Sequence, residues 1–220
     1  MLTVHHLENS RSQRVLWLLE ELELPYEIVL YKRNPQTMLA PPSLRAIHPL
    51  GKSPVITDDG ITIAETGAIV EYLCEKAGGK LRPAAGSAAA RAFTFWLHYA
   101  EGSAMTPLLM TLVFSTMPKR APALMRGLVR SITARAQTGF VNPQLQNHFS
   151  FIEGELAATG WFAGAEFTAA DVMMSFPLEA GASRAGPFAA QPHILAFLDK
   201  IHARPAYQRA LARGGPYVYA

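Results

Sequence analysis

The sequence predicts an α/β domain built on a small mixed sheet, followed by a wholly helical domain. Three observations predict this. In the first 77 residues, short β-branched or aromatic runs alternate with stretches of helical period. A Gly/Pro/Ala-rich segment, GGKLRPAAGSAAA, then breaks the pattern. Beyond it, alanine-rich sequence of helical period runs to the end without a convincing strand. The expected boundaries are 1–77, a linker over 78–86, and 87–220.

LTVHH is a short β-rich run that opens the first domain. SQRVLWLLEELEL carries Val15, Leu16, Leu18, Leu19 and Leu22 at the spacing of an amphipathic helix, and Pro25 ends it. YEIVLY is a second strand. NPQTMLAPPSLRAIHPLG, broken by four prolines, reads as a loop with one short, irregular helix. PVIT and GITIA form a hairpin around Asp58-Asp59-Gly60, because Asp-Gly supplies the positive φ of a tight turn. From Glu65 to Lys76, Ile69, Val70 and Leu73 line one helix face, and Gly78-Gly79 ends it. The order β-α-β-(α)-β-β-α is what a mixed four-stranded sheet requires. In the second domain, breaks at Pro118, Pro122, Gly160, Gly164, Gly186-Pro187 and Pro192 suggest five or six helices. Thr168 and Asp171 form a capping box there, with Phe167 and Val172 placed as a hydrophobic staple.

Half of the 220 residues are apolar and 17% are charged, a balance that supports a packed core and opposes disorder. No uncharged apolar run reaches the roughly 18 residues of a membrane span, so no membrane association is expected. MLTVHHLENSRSQR has no apolar secretion core, which fits a cytoplasmic protein. The single cysteine, Cys74, excludes an intrachain disulfide and any Cys-pair metal site, and the seven histidines lack H-x-x-x-H spacing. No metal is expected. Twenty basic and 17 acidic residues leave a net charge of +3. The densest basic stretch, Lys119 to Arg135, reads as a solvated helix face without interleaved aromatics, so nucleic acid is not expected either.

Three places carry possible chemistry. Asn9-Ser10-Arg11-Ser12 is a polar turn at a helix start, where unpaired N–H groups and the helix dipole favour an anion. A hydroxyl there can donate to that anion, or merely cap the helix. In Lys52-Ser53-Pro54-Val55, a cis Ser53–Pro54 bond would present Val55 as a free strand edge open to a peptide ligand; an ordinary trans strand start is the alternative. Ala64-Glu65-Thr66-Gly67 offers backbone N–H groups and a hydroxyl to a carboxylate, and Glu65 to an amine. One amino-acid head group satisfies both. Capping with an acidic first turn is the plain alternative.

Together and in this order, these segments resemble the cytosolic glutathione S-transferase family. LENSRSQRVLWLLEEL is similar to its first strand-turn-helix, HPLGKSPVI to its cis-proline loop and AETGAIVEYL to its γ-glutamyl site. GWFAGAEFTAADVMMSFPL is similar to the capped, buried late helix of its second domain. The resemblance covers essentially the whole chain. It implies a thioredoxin-like first domain, a helical-bundle second domain, a homodimer, and glutathione as co-substrate. It also implies Ser10 as the catalytic hydroxyl, Lys52 at the glycyl end, Val55 pairing with the cysteinyl part, and Glu65 and Thr66 at the γ-glutamyl end. The proline that often stands two residues after the catalytic serine is replaced by Ser12, and Asn9 is an alternative donor. Glu101 could reach the γ-glutamyl ammonium of a neighbouring subunit.

The implied activity is conjugation of the glutathione thiolate to hydrophobic electrophiles. A free thiol, with pKa about 8.5, needs such help to ionise near neutrality. Alternatives are glutathione-dependent isomerase or peroxidase action, or a glutathione-binding regulatory protein without turnover. The electrophile site is expected beside Ser10 along the helix spanning roughly 88–114, where Tyr99, Ser103, Thr106 and Met110 share a stripe. Other residues read as structural. Cys74 is a packed small residue, His5 and His6 are sheet positions, and Trp96 and Tyr99 suit a core or subunit interface.

Overall fold

A computed structural model describes residues 1–219. Strands β1 (Thr3–Leu7), β2 (Glu27–Tyr31), β3 (Val55–Asp58) and β4 (Ile61–Ala64) form one sheet in the order β2-β1-β3-β4. β1 pairs parallel with β2, while β1–β3 and β3–β4 are antiparallel. The parallel pair is bridged by α1 (Ser12–Leu22), which ends on Glu23 in left-handed conformation. The hairpin turn takes positive φ at both Asp59 and Gly60, 45° and 88°, which is type I′. α2 (Pro42–Ile47) and α3 (Thr66–Lys76) complete the thioredoxin-like domain.

Strand alternation divides the core. Val4 points into the main cluster with Leu16, Leu19, Ile56 and Ile69, whereas Leu7 meets Tyr31 and Leu44 under α2. His6 shares the face of Val4. The expectation of a free edge at Val55 is corrected here. β3 is an interior strand, and Val55 lies in register with both His5 and Ala64. Val55 is the first residue of β3.

The second domain comprises α4 (Ala88–Tyr99), α5 (Met105–Arg120), α6 (Arg126–Ala136), α7 (Asn142–Thr159), α8 (Ala169–Arg184), α9 (Pro192–His202) and α10 (Pro205–Gly214). Two π turns, Ala100–Ala104 and Gln137–Val141, join α4 to α5 and α6 to α7 into continuous rods. Each turn lies just before a proline, Pro107 or Pro143. Proline has no N–H for the carbonyl four residues back and clashes with it, so the preceding turn widens. The break expected at Pro118 does not occur; α5 runs through it to Arg120. α8 also contains a proline, Pro177, which leaves the Met173 carbonyl without its helical donor. The guanidinium of Arg14, on α1, supplies that donor at 2.6 Å. This bond crosses the two domains, which also share the edge-to-face pair Trp17–Tyr207 at 5.2 Å.

Candidate active site at the first strand–helix turn

Asn9 turns the chain after β1 with φ 49°, and Ser10 to Ser12 lead into α1. Ser10 and Ser12 are both buried. Their hydroxyl oxygens lie 2.8 Å apart, and the Ser12 N–H donates to Ser10 Oγ at 3.3 Å. Ser10 therefore satisfies one of the helix's unpaired N–H groups. Ser12 Oγ points elsewhere, to His6 Nδ1 at 2.7 Å, and His6 Nε2 lies 3.1 Å from the Gly214 carbonyl. Burial lowers the His6 pKa, and the bond to Gly214 opposes that only in part. The Asn9 side-chain oxygen accepts the Val218 N–H at 3.0 Å, which leaves its NH₂ group as the donor end.

The other two predicted places are tied to this turn by hydrogen bonds. Ser53 Oγ donates to the His5 carbonyl at 2.9 Å and accepts the Leu7 N–H at 3.3 Å. The Ser53–Pro54 bond is cis. Pro54 and Val55 are buried and Lys52 is exposed. On the far side, Arg14 donates to Thr66 Oγ1 at 3.3 Å. Thr66 is buried at the first turn of α3, and Glu65 before it is exposed with φ 70°. A non-glycine residue held in that region is costly unless its surroundings fix it, and such residues gather at ligand sites.

Glu101, in the first π turn, is half-buried. Its carboxylate accepts from Arg11 Nε at 2.9 Å and from Arg14 of the same chain. Burial pushes its pKa up, but the Arg14 and Arg11 charges outweigh burial and hold it below the ordinary carboxylate range.

The four predicted electrophile-site residues are not brought onto one stripe. The π turn puts five residues where an α-helix would have fewer, and so rotates the face of α5 relative to that of α4. Tyr99 is buried among Phe95, Trp96 and Phe151, and its hydroxyl lies 2.5 Å from His148 Nδ1. Ser103 and Met110 are half-buried, whereas Thr106 is exposed. Cys74 is fully buried, and burial pushes its thiol up to about 12, far from nucleophilic.

Two features at the turn were missed from sequence. Phe176 of α8 lies under the guanidinium groups of Arg11 and Arg14, at 5.1 and 5.3 Å. The C-terminal tail closes over it, with Tyr219 against Phe176 at 5.5 Å and the Tyr217 hydroxyl donating to buried Glu179 at 2.5 Å. Only long-range packing brings these together, so no local spacing announces them. His6 is different. Strand alternation already puts it on the α1 face with Val4, six residues before Ser12.

Residues 10–76 match the family model for the glutathione S-transferase N-terminal domain, and residues 116–205 match that for the C-terminal domain. Glutathione S-transferase 3 of Schizosaccharomyces pombe is 37% identical over 81% of this chain and 73% of its own. Glutathione S-transferase 1 of Saccharomyces cerevisiae is 32% identical over 94% and 92% of the two chains. The crystal structure of a glutathione S-transferase from Actinobacillus pleuropneumoniae superposes with a TM-score of 0.81, at 30% identity, covering 99% of this chain and 94% of that one. The chain belongs to the glutathione S-transferase family and is a glutathione transferase.

Proposed function

We propose that the protein joins the glutathione thiolate to small hydrophobic electrophiles, with Ser10 as the hydroxyl at the sulfur. The observation that carries this reading is the convergence of three separate segments on one turn. Ser53 bonds to both ends of the His5–Leu7 backbone and Thr66 bonds to Arg14, so both loops are fastened to the unit bearing Ser10. On this reading the cysteinyl part of glutathione pairs with the backbone at Val55. Lys52 takes the glycyl carboxylate, and Glu65 and Thr66 take the γ-glutamyl head. The sulfur then lies at the N-terminus of α1, whose dipole and Ser10 favour its charged form. Asn9 is the competing donor.

The electrophile lies over the same turn, against Phe176 and the α4–α5 rod that carries Tyr99, Ser103, Thr106 and Met110. A ligand complex with none of those four in contact refutes that wall. The protein acts as a cytoplasmic homodimer. Support for a second copy comes from exposed Phe95, Leu109, Val113 and Met117 on α4 and α5, an apolar band that water disfavours. In that dimer Glu101 is the candidate for the ammonium of the partner's glutathione, against the hold of Arg11 and Arg14 on its carboxylate. Unchanged glutathione affinity in Glu101→Ala removes it.

Purified protein assayed with glutathione and a panel of aryl halides, enones, a cis–trans isomerisation substrate and a hydroperoxide tests the reading. Conjugation of halides or enones is expected. Turnover of the hydroperoxide or the isomerisation substrate alone, or tight glutathione binding without turnover, contradicts it.

A further inference from the structure

His6 does not contact the place proposed for glutathione, yet it ends an unbroken chain of hydrogen bonds that starts there. The direction of that chain is set by donor and acceptor capacity. The Gly214 carbonyl can only accept, so at 3.1 Å it takes a proton carried by His6 Nε2. In the neutral ring Nδ1 is then a bare acceptor, and Ser12 must donate its single hydroxyl proton to it at 2.7 Å. The Leu7 carbonyl, at 3.4 Å, is a longer competitor for that proton and would leave Nδ1 buried and unpaired. With its proton committed, Ser12 Oγ accepts from Ser10 at 2.8 Å. Ser10 also receives the Ser12 N–H, so one lone pair remains on its oxygen. Ser10 thus meets an incoming thiol as an acceptor, not as a donor.

We propose, on the glutathione reading above, that the Ser10–Ser12–His6 chain relays the thiol proton of bound glutathione to His6 Nδ1. The S–H bond breaks and its proton joins Ser10 Oγ. The former Ser10 proton passes to Ser12, and the former Ser12 proton to Nδ1. The products are a thiolate and an imidazolium, with both serines neutral. Every hydroxyl has now reversed, so Ser10 donates to the sulfur it has just deprotonated. After addition to an enone the proton can return by the same chain to the product; after a substitution it leaves to solvent. His6 acts through the serines and is a positioning residue.

Around His6, burial works against the imidazolium and the end of α10 works for it. The carbonyl it bonds ends α10, the negative end of a helix dipole, which favours the imidazolium. Charged groups on the packed elements are engaged elsewhere. Arg14 of α1 is turned to Thr66, Met173 and Glu101, and Arg213 of α10 to Glu20 and the Tyr26 carbonyl. His5 lies on the opposite face of β1, with Tyr31 and Thr57, Glu8 bonds Arg33, and Tyr217 of the tail bonds Glu179. The β2 residue in register with His6 is Leu30, which carries no charge.

The test is nitrogen NMR of the full chain labelled in its histidines, near pH 7, free and with saturating glutathione or S-methylglutathione. Binding is measured by calorimetry and thiolate by its ultraviolet absorbance. His6 is expected neutral in the free protein, imidazolium with glutathione, and neutral with S-methylglutathione, which has no thiol proton. In Ser12→Ala, which cuts the chain but keeps Ser10, His6 stays neutral with glutathione. There kcat/KM near neutrality falls about a hundredfold, the scale of a lost general base, and Ser12→Thr restores both. A neutral His6 beside a formed thiolate in the wild type overturns the relay while leaving glutathione binding intact. So does an imidazolium seen equally with S-methylglutathione. If calorimetry detects neither ligand, the glutathione reading falls and the relay with it.

Discussion

Ser10 has a single proton, and the group at the sulfur decides what that proton does. A hydrogen bond to a charged group contributes roughly 1.5–3 kcal/mol, and one pKa unit corresponds to about 1.36 kcal/mol. Ser10→Ala should therefore raise the pKa of bound glutathione by about one to two units and slow turnover near neutrality, with activity recovering as pH rises. Titration of the thiolate absorbance in the complex measures this. Asn9→Ala should leave the titration in place, and a shift in Asn9→Ala with none in Ser10→Ala makes Asn9 the donor. Val55 behaves differently because its proposed contact is through the backbone while its side chain is fully buried. Val55→Ala should cost about 1–3 kcal/mol of stability in chemical denaturation and leave the glutathione KM unchanged. The residues of the turn were legible in sequence as a set, but their division of labour was not. Ser12 read as a cap, and its bond to His6 depends on how far β1 and α1 are separated in space.

At the scale of elements, α8 holds two devices of different legibility. The capping box was legible. Thr168 N–H donates to Asp171 Oδ2 at 2.7 Å, while Phe162 N–H takes Oδ1 at 2.8 Å. Burial of this carboxyl raises its pKa from 3.8 to about 6, against the pull of those N–H groups. A raised carboxylate pKa favours the fold most below 3.8, and the contribution falls as pH rises to about 6 and is flat above. Asp171→Ala orphans two buried donors, so its melting temperature should drop at every pH while the glutathione KM stays put. Its gap to the wild type should narrow between pH 4 and 6. A lost KM with unchanged melting makes Asp171 a site residue instead. The second device, Arg14 on the Met173 carbonyl, was hidden, because nothing local says which distant donor serves a proline's missing bond. Arg14→Ala should destabilise the fold by about 3–5 kcal/mol, the cost of breaking a buried charged pairing. Pro177→Ala restores a helical donor to Met173, so the double variant should lose less than the two single costs combined. Additive costs in denaturant melts contradict that coupling. The π turns were likewise invisible. Helical periodicity assumes a constant turn, and Pro107 and Pro143 change it just ahead of themselves.

At the scale of the molecule, the two domains are packed as one body around α1, which explains why the fold class was readable while the site was readable only in part. Each domain's elements arise from local pattern, whereas the cleft is made by what α1, α8 and the tail place opposite each other. Trp17 is fully buried between Tyr207 and Phe167, so Trp17→Ala should cost about 3–5 kcal/mol and lower one common unfolding transition. Two separated transitions in calorimetry contradict a shared core. Light scattering at micromolar concentration should give the mass of two 24.0 kDa chains, and a monomer mass removes the dimer. Glutathione is expected to lie across the Ser10 turn, the start of β3 and the start of α3. A crystal structure of the complex with glutathione tests it most directly. The sulfur is expected within about 3.5 Å of Ser10 Oγ, the cysteinyl backbone paired with Val55, and the γ-glutamyl head at Glu65 and Thr66. Glutathione bound on another face, or with its sulfur turned away from Ser10, contradicts it.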